Sequence, residues 1–190
     1  LTIFFGIAIL LFLLFRPTKG WFWLFQKNFK SDEKVIIEDI LKQLYHFENS
    51  GNKVDTKTLV QSLNFKNKSI VEAIKKMSIN NLVYFDSDAL KLTEEGHEYA
   101  LRIIRVHRLW ERYLADRTGF HKNEWHDRAE RMEHKLEHDE TNKLASQLGN
   151  PKFDPHGDPI PTKTGKIAEI EGVELPRLPV NSIARITHIE

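Results

Sequence analysis

The sequence contains no cysteine. Disulfides, thiolate zinc sites and iron–sulfur clusters are therefore excluded, and any metal must be held by nitrogen and oxygen ligands. Neither sign of charge is in excess. The 190 residues carry a net charge of +1, so whole-chain electrostatics offer no argument for nucleic acid. Internal repeats and low-complexity tracts are also missing. The H-E-x-x-H signature is absent, and no nucleophile or oxyanion device is visible. The sequence thus reads as no enzyme, which sets aside a hydrolytic metalloprotein. The length suffices for one or two small domains with real cores.

One long apolar run is present. Residues 1–15 (LTIFFGIAILLFLLF) are broken only by Thr2. A spanning helix needs about 20 residues. This run begins abruptly and with Leu rather than Met, so it reads as the end of a longer transmembrane helix. A cleaved signal peptide would need a small-residue cleavage site, whereas RPTKGWFWLF follows. Trp21, Phe22, Trp23 and Phe25 suit an interfacial aromatic belt, and Arg16, Lys19, Lys27, Lys30 and Lys34 follow the apolar run. The positive-inside rule then predicts an inner-membrane (cytoplasmic-membrane) protein, in contact with the bilayer through residues 1–25, with residues 31–190 in the cytoplasm. At the other end, LPRLPVNSIARITHIE stops in what reads as the start of a β-rich module. The chain therefore reads as a fragment cut at both ends.

Between these ends, the pattern is mainly α. Ser31 is the expected N-cap of a helix running to about Glu48, with Asp32 and Glu33 in its first turn. Asp55-Thr56 opens a short helix, KTLVQSL, and a third, KSIVEAIKKMSI, follows the NFKN turn. LVYFDSDALKLT reads as a hairpin around Asp86-Ser87-Asp88. This order is the winged-helix pattern. Thr93 caps a long helix, EEGHEYALRIIRVHRLWERYLADR, whose apolar positions cover more than one face, as expected of a helix packed on two partners. After GFHKNE a further helix is expected to run to about Leu148, followed by a Pro/Gly-rich connector, GNPKFDPHGDPIPT.

The histidines are concentrated. His97, His107, His121, His126, His134 and His138 fall in one short region, and HDRAERMEH occupies residues 126–134. At about 100° per residue, Glu130 sits about 40° round from His126, Glu133 about 20° to the other side and His134 about 80° round. All four share one helical face. His107 and Glu111 are i,i+4 on the preceding helix and also share a face. Two helices joined by a short loop pack antiparallel, so these faces can meet. Asp39 in the first helix is a further candidate. Imidazole plus carboxylate without sulfur suits Mn²⁺, Fe²⁺ or Zn²⁺. The competing reading is a solvated face, with Glu130, Glu133 and His134 paired to Arg128, Arg131 and Lys135 in surface ion pairs of little energetic value.

Three segments together, VHRLWERYL (106–114), HDRAERMEH (126–134) and PHGDPIP (155–161), resemble the diphtheria-toxin-repressor and manganese-transport-regulator family of metal-dependent repressors. The resemblance covers residues 31 to 190. Residues 1–30, read above as a transmembrane and basic juxtamembrane segment, stand outside it, and it implies a winged helix at 31–92. A metal-binding and dimerisation domain at 93–162 follows, then a connector with the start of an SH3-like module at 163–190. It implies a homodimer, and Mn²⁺ or Fe²⁺ (or Zn²⁺) as the cofactor. Asp39, His107, Glu130, Glu133 and His134 fall at the primary ligand positions, with Glu111 and His126 at the ancillary ones. Glu130 stands where iron-type members carry Cys, which favours Mn²⁺. Lys42 stands where manganese-type members place a second carboxylate, which argues against a binuclear manganese site. His156 lies in a family-like motif and receives no ligand role.

The N-terminal segment FFGIAILLFLLFRPTKGWFWLF resembles the last transmembrane helix of a metal-ion ABC permease, which implies a fusion and ABC transporter subunits as partners. Two functions follow: a metal-responsive DNA-binding repressor, or the cytoplasmic metal-sensing domain of a Mn/Fe/Zn transporter that binds no DNA. Lys66, Asn67, Lys68 and Ser69, at the start of the presumed recognition helix, are the candidate DNA contacts. Against DNA binding, residues 31–92 contain no Arg and as many acidic residues as lysines, and Asp86 and Asp88 occupy the wing tip.

Overall fold

The computed structural model describes residues 21–168 and 175–185, and of residues 21–31 only the backbone path. Helix α1 (Trp21–Asn49) leads into α2 (Thr56–Ser62) and α3 (Asn67–Ile79). Strands β1 (Val83–Asp86) and β2 (Ala89–Leu92) form an antiparallel hairpin, with Val83 opposite Leu92 and Asp86 opposite Ala89. Helices α4 (Glu94–Arg117), α5 (Lys122–Glu133) and α6 (His138–Gln147) complete the ordered elements, apart from a 3₁₀ turn at Leu175–Arg177. Three helices and a wing followed by a helical unit are the expected topology.

Local chemistry accounts for most boundaries. The Asp55 carboxylate accepts the Thr58 N–H at 2.7 Å and caps α2, and Thr93 accepts from Gly96 N at 3.0 Å and caps α4. Helix α1 ends in a Schellman turn. Asn52 N donates to Phe47 O, Gly51 N donates to Glu48 O, and Gly51 takes φ +70°. Two expected boundaries differ. Helix α1 starts at Trp21, so Ser31 is interior rather than a cap, because neither Pro nor Gly interrupts residues 21–49. The helix expected to run to Leu148 is broken after Glu133, because Glu137 and Glu140 form a capping box that starts α6 afresh.

Two apolar cores result. The first joins Leu41 and Leu44 of α1, Leu59 of α2, Ile70 and Met77 of α3, the wing's Leu90, and Ile103 of α4. The second gathers Leu109 of α4 with Leu144, Ala145 and Ile160. Each fully buried aliphatic side chain here contributes about 1.5–3 kcal/mol. Helix α4 enters both cores, which explains its wide apolar arc. Arg105 donates to Pro161 O at 2.6 Å and Arg108 to Pro159 O at 2.5 Å, pinning the connector beside α4.

The expected transmembrane run, residues 1–15, lies outside the described residues. Among the described residues, no helix is long and apolar enough to cross a membrane. The start of an SH3-like strand expected in LPRLPVNSIARITHIE is not found either. Residues 175–185 hold the 3₁₀ turn and no strand, and the remainder lies outside the described residues.

Candidate metal centre

Three elements deliver the site. Helix α1 supplies Glu38, Asp39 and Lys42; α4 supplies His107 and Glu111; α5 supplies His126, Glu130 and Glu133, with His134 as its C-cap. A first donor cluster comprises Asp39, Glu133 and His134. His134 Nε2 lies 3.3 Å from Asp39 Oδ1 and 3.6 Å from Glu133 Oε1. Adjacent ligands of one ion with bonds of about 2.1 Å lie roughly 3 Å apart, so these atoms fit a shared cation after small adjustments. A second cluster comprises His107, Glu111 and His126. Glu111 Oε1 lies 3.3 Å from His107 Nε2 and 3.2 Å from His126 Nδ1. The two clusters are joined through Glu133, whose Oε2 is 2.5 Å from His107 Nδ1. The sequence grouped His107 with the first set. In the fold it lies with Glu111 and His126 and reaches the first set through Glu133. Glu130 belongs to no three-residue cluster among the described residues; it is half exposed, 3.4 Å from Lys42 Nζ and 3.6 Å from His126 Nε2.

The solvated-face alternative does not describe Glu133, although His126 and Glu130 on the same helix are exposed. Glu133 is 3 % exposed and is paired with His107 and Lys42 rather than with surface arginines; Arg128 pairs with Glu124. Burial works against the His107 cation, but Glu111 and Glu133 outweigh it and hold its pKa up to about 9. His134 behaves alike: burial opposes its charge, while Asp39, Glu38 and Glu133 raise it to about 9. Burial would raise Glu111, yet His107 and His126 hold its carboxyl far below the usual range. Burial would likewise raise Glu133, and His107 and Lys42 pull it down instead. These carboxylates are ionised at neutral pH and face a site built only of oxygen and imidazole nitrogen. Such a donor set fits Mn²⁺, Fe²⁺ or Zn²⁺.

Three side chains beside these donors received no role from the sequence. Glu38, 4 % exposed, accepts from Tyr99 Oη at 2.8 Å and pairs with His134 Nδ1 at 2.6 Å. It orients the ring so that Nε2 faces Asp39 and Glu133, the outer-shell arrangement typical of ligating histidines. Asp154 and His156, from the connector, form a third cluster with Glu111. His156 Nδ1 is 3.7 Å from Glu111 Oε2, and Asp154 Oδ1 accepts the His156 and Asp158 N–H groups. Burial raises the Asp154 pKa, and its Oδ2 is buried without a hydrogen-bond partner. A cleft of about 420 Å³ connects Lys42, His107, Glu111, His126, Glu130 and His156. The i,i+1 pair Glu38-Asp39 and the DPHGD run were the only signals available in the sequence.

The presumed DNA-facing residues lie apart from this centre. Lys66 is the N-cap of α3, and Lys66, Asn67 and Lys68 are exposed while Ser69 is half-buried. Lys68 Nζ is 3.9 Å from Glu72, and at the wing Lys91 Nζ contacts Asp86 at 2.5 Å.

Residues 93–162 match the family model described as iron dependent repressor, metal binding and dimerisation domain. A probable metal transport system membrane protein of Chlamydia trachomatis serovar D is 30% identical over 177 residues, covering 87% of this chain and 38% of that protein. A manganese-dependent transcriptional repressor solved with manganese is 34% identical, with a TM-score of 0.65, over 71% of this chain and 63% of that one. The structure of ScaR with bound Cd²⁺ is 30% identical, with a TM-score of 0.65, over 75% of this chain and 68% of that one. The chain thus spans less than two thirds of the first relatives' lengths. The expected inner-membrane placement is overturned. Among the described residues no helix can cross a membrane, and the solved structures it matches include a transcriptional repressor. Within α1, the charges from Lys27 to Lys42 (Lys27, Lys30, Asp32, Glu33, Lys34, Glu38, Asp39 and Lys42) keep that helix from spanning a bilayer. From its donor clusters, its winged helix and these likenesses, the chain belongs to the diphtheria-toxin-repressor and manganese-transport-regulator family of metal-dependent repressors.

Proposed function

We propose that this chain is the DNA-binding and metal-sensing portion of a Mn²⁺- or Fe²⁺-dependent transcriptional repressor that acts as a homodimer, with no enzymatic activity. Zn²⁺ is the third ion its donors suit. The observation that carries the reading is the junction of α1 with α4 and α5. Asp39 belongs to the winged helix (31–92), while Glu133 and His134 belong to the metal-binding and dimerisation domain (93–162). An ion held by Asp39, Glu133 and His134, with Glu130 at its rim and His107 behind Glu133, ties the DNA-reading unit to the dimerising unit. His107, Glu111 and His126 hold an ancillary ion. Because the ion binds the closed arrangement best, metal and DNA affinities are coupled. Lys66, Asn67, Lys68 and Ser69 then present the start of α3 to the major groove.

A second reading is favoured by one observation, the alignment with the Chlamydia metal transport system protein along most of this chain. In it the same metal switch regulates a metal transport system, with ABC transporter subunits as partners, and no DNA is bound. The charge balance of residues 31–92 agrees with it. Gel-shift binding of the purified protein to its own operon's promoter, with and without Mn²⁺ or Fe²⁺, separates the two. Metal-dependent, salt-sensitive and sequence-selective binding supports the repressor. Metal-induced dimerisation without DNA binding supports the transport sensor. Calorimetry showing no binding of any of the three ions refutes both.

A further inference from the structure

Lys42 pairs with Glu133, a member of the first cluster, and with the neighbouring Glu130. Its ammonium lies 2.6 Å from Glu133 Oε1 and 3.4 Å from Glu130 Oε1. Glu133 Oε1 is also the Glu133 oxygen that lies 3.6 Å from His134 Nε2. The other oxygen of Glu133 is already engaged by His107 Nδ1. The oxygen a cation would take is therefore held by a cation that the chain itself supplies. The contact is sheltered: the Lys42 side chain is 15 % exposed and that of Glu133 is 0 % exposed. One turn-pair away on the same helix, Lys34 Nζ donates to His134 O at 3.1 Å. Two ammonium groups of α1 thus grip the end of α5, at the same seam a metal would bridge.

Resting on the metal-site reading above, we propose that Lys42 is a resident cation that competes with the divalent ion for Glu133 and Glu130 and so sets the metal concentration at which the site fills. Binding requires the ammonium to give up the Glu133 oxygen or to share it with a doubly charged ion at close range, and both weaken the bound state. The same ammonium holds α1 against α5 before metal arrives. The switch is therefore an exchange of cations at one seam rather than the creation of a contact from nothing.

The test is Mn²⁺ titration of the dialysed full chain, followed by isothermal calorimetry and by the paramagnetic resonance of free Mn²⁺. Lys42→Gln is expected to bind the ion about tenfold or more tightly than the parent, since a charged hydrogen bond no longer has to be surrendered. Lys42→Arg keeps the charge and is expected to stay within about threefold of the parent. Circular dichroism melting verifies folding, and Lys42→Leu, which keeps the aliphatic stem, repeats the neutral test. Neutral variants that fold and bind Mn²⁺ no tighter than the parent overturn the proposal while leaving the metal site standing. A parent protein that binds no Mn²⁺ overturns the site itself and the proposal with it.

Discussion

Replacing Glu38 by Gln removes one negative charge from a nearly closed position while preserving the side chain's shape. Glu38 is 4 % exposed and serves two donors, Tyr99 Oη at 2.8 Å and the His134 ring at 2.6 Å. A hydrogen bond to a charged partner contributes about 1.5–3 kcal/mol. The His134 pKa, raised from 6.5 to about 9, supplies an independent bound. Such a shift stabilises the fold by at most about 3 kcal/mol, shared among the groups that cause it. Asp39 leads those contributions and Glu38 follows, so about 1–2 kcal/mol belongs to Glu38. The folded pKa is the higher one. This stabilisation is therefore complete below pH 6.5 and disappears as pH rises through about 9. Urea unfolding in chelator should show Glu38→Gln destabilised by about 2 kcal/mol at pH 6, with the deficit at least halved at pH 9.5. An equal deficit at both pH values, or one below about 0.5 kcal/mol at pH 6, would refute the ionic role assigned to Glu38. The same variant should bind Mn²⁺ about 10–100-fold more weakly, since the ring of His134 loses its orienting partner.

Metal binding should release protons at neutral pH. His107 and His134 are protonated there, with pKa values raised to about 9, and a ligating imidazole must be neutral. Apparent Mn²⁺ affinity should therefore climb between pH 7 and 9, and calorimetric enthalpies should vary with the buffer's ionisation enthalpy; flat behaviour on both counts contradicts it. Glu111→Gln should abolish ancillary binding altogether, because Glu111 is common to the clusters with His107 and His126 and with Asp154 and His156. Retention of a second bound ion, counted by elemental analysis, would contradict the sharing of one carboxylate. Gly96→Ala should destabilise the winged helix by about 1–3 kcal/mol, because an added Cβ would collide with the carbonyl of Leu82 at the foot of the wing. A thermal midpoint unchanged from the parent would show that α4 is not seated there.

Several features were legible because their causes lie within a few residues. Asp55 and Thr93 cap the helices they precede, the two-residue turn at Ser87-Asp88 closes the hairpin, and the spacing of His126, Glu130 and Glu133 sets a common face. Other features depended on competition between neighbours. Ser31 carries the chemistry of a cap but stands in an unbroken helical stretch, and the capping box at Glu137 outweighs the helical run through Lys135. The break leaves His134 as a C-cap, so its position follows from the end of a helix rather than from the periodicity that first drew attention to it.

The sequence by itself determined the class of chemistry and the order of elements. Without cysteine, and with clustered His and Glu on helices in a winged-helix order, any metal site had to be built of oxygen and nitrogen donors. Tertiary structure alone decided which donors meet. Lys42 and Glu133 are separated by 91 residues, Glu38 and His134 by 96. Neither pairing leaves any trace in local propensity, because each arises where α1 and the end of α5 meet through their shared packing on α4. The division of His107 from Asp39, the sharing of Glu111 and the arrival of Asp154 and His156 from the connector have the same origin. Helical spacing states which face a side chain occupies, and only the packing of that face against another helix sets the few ångströms on which coordination depends.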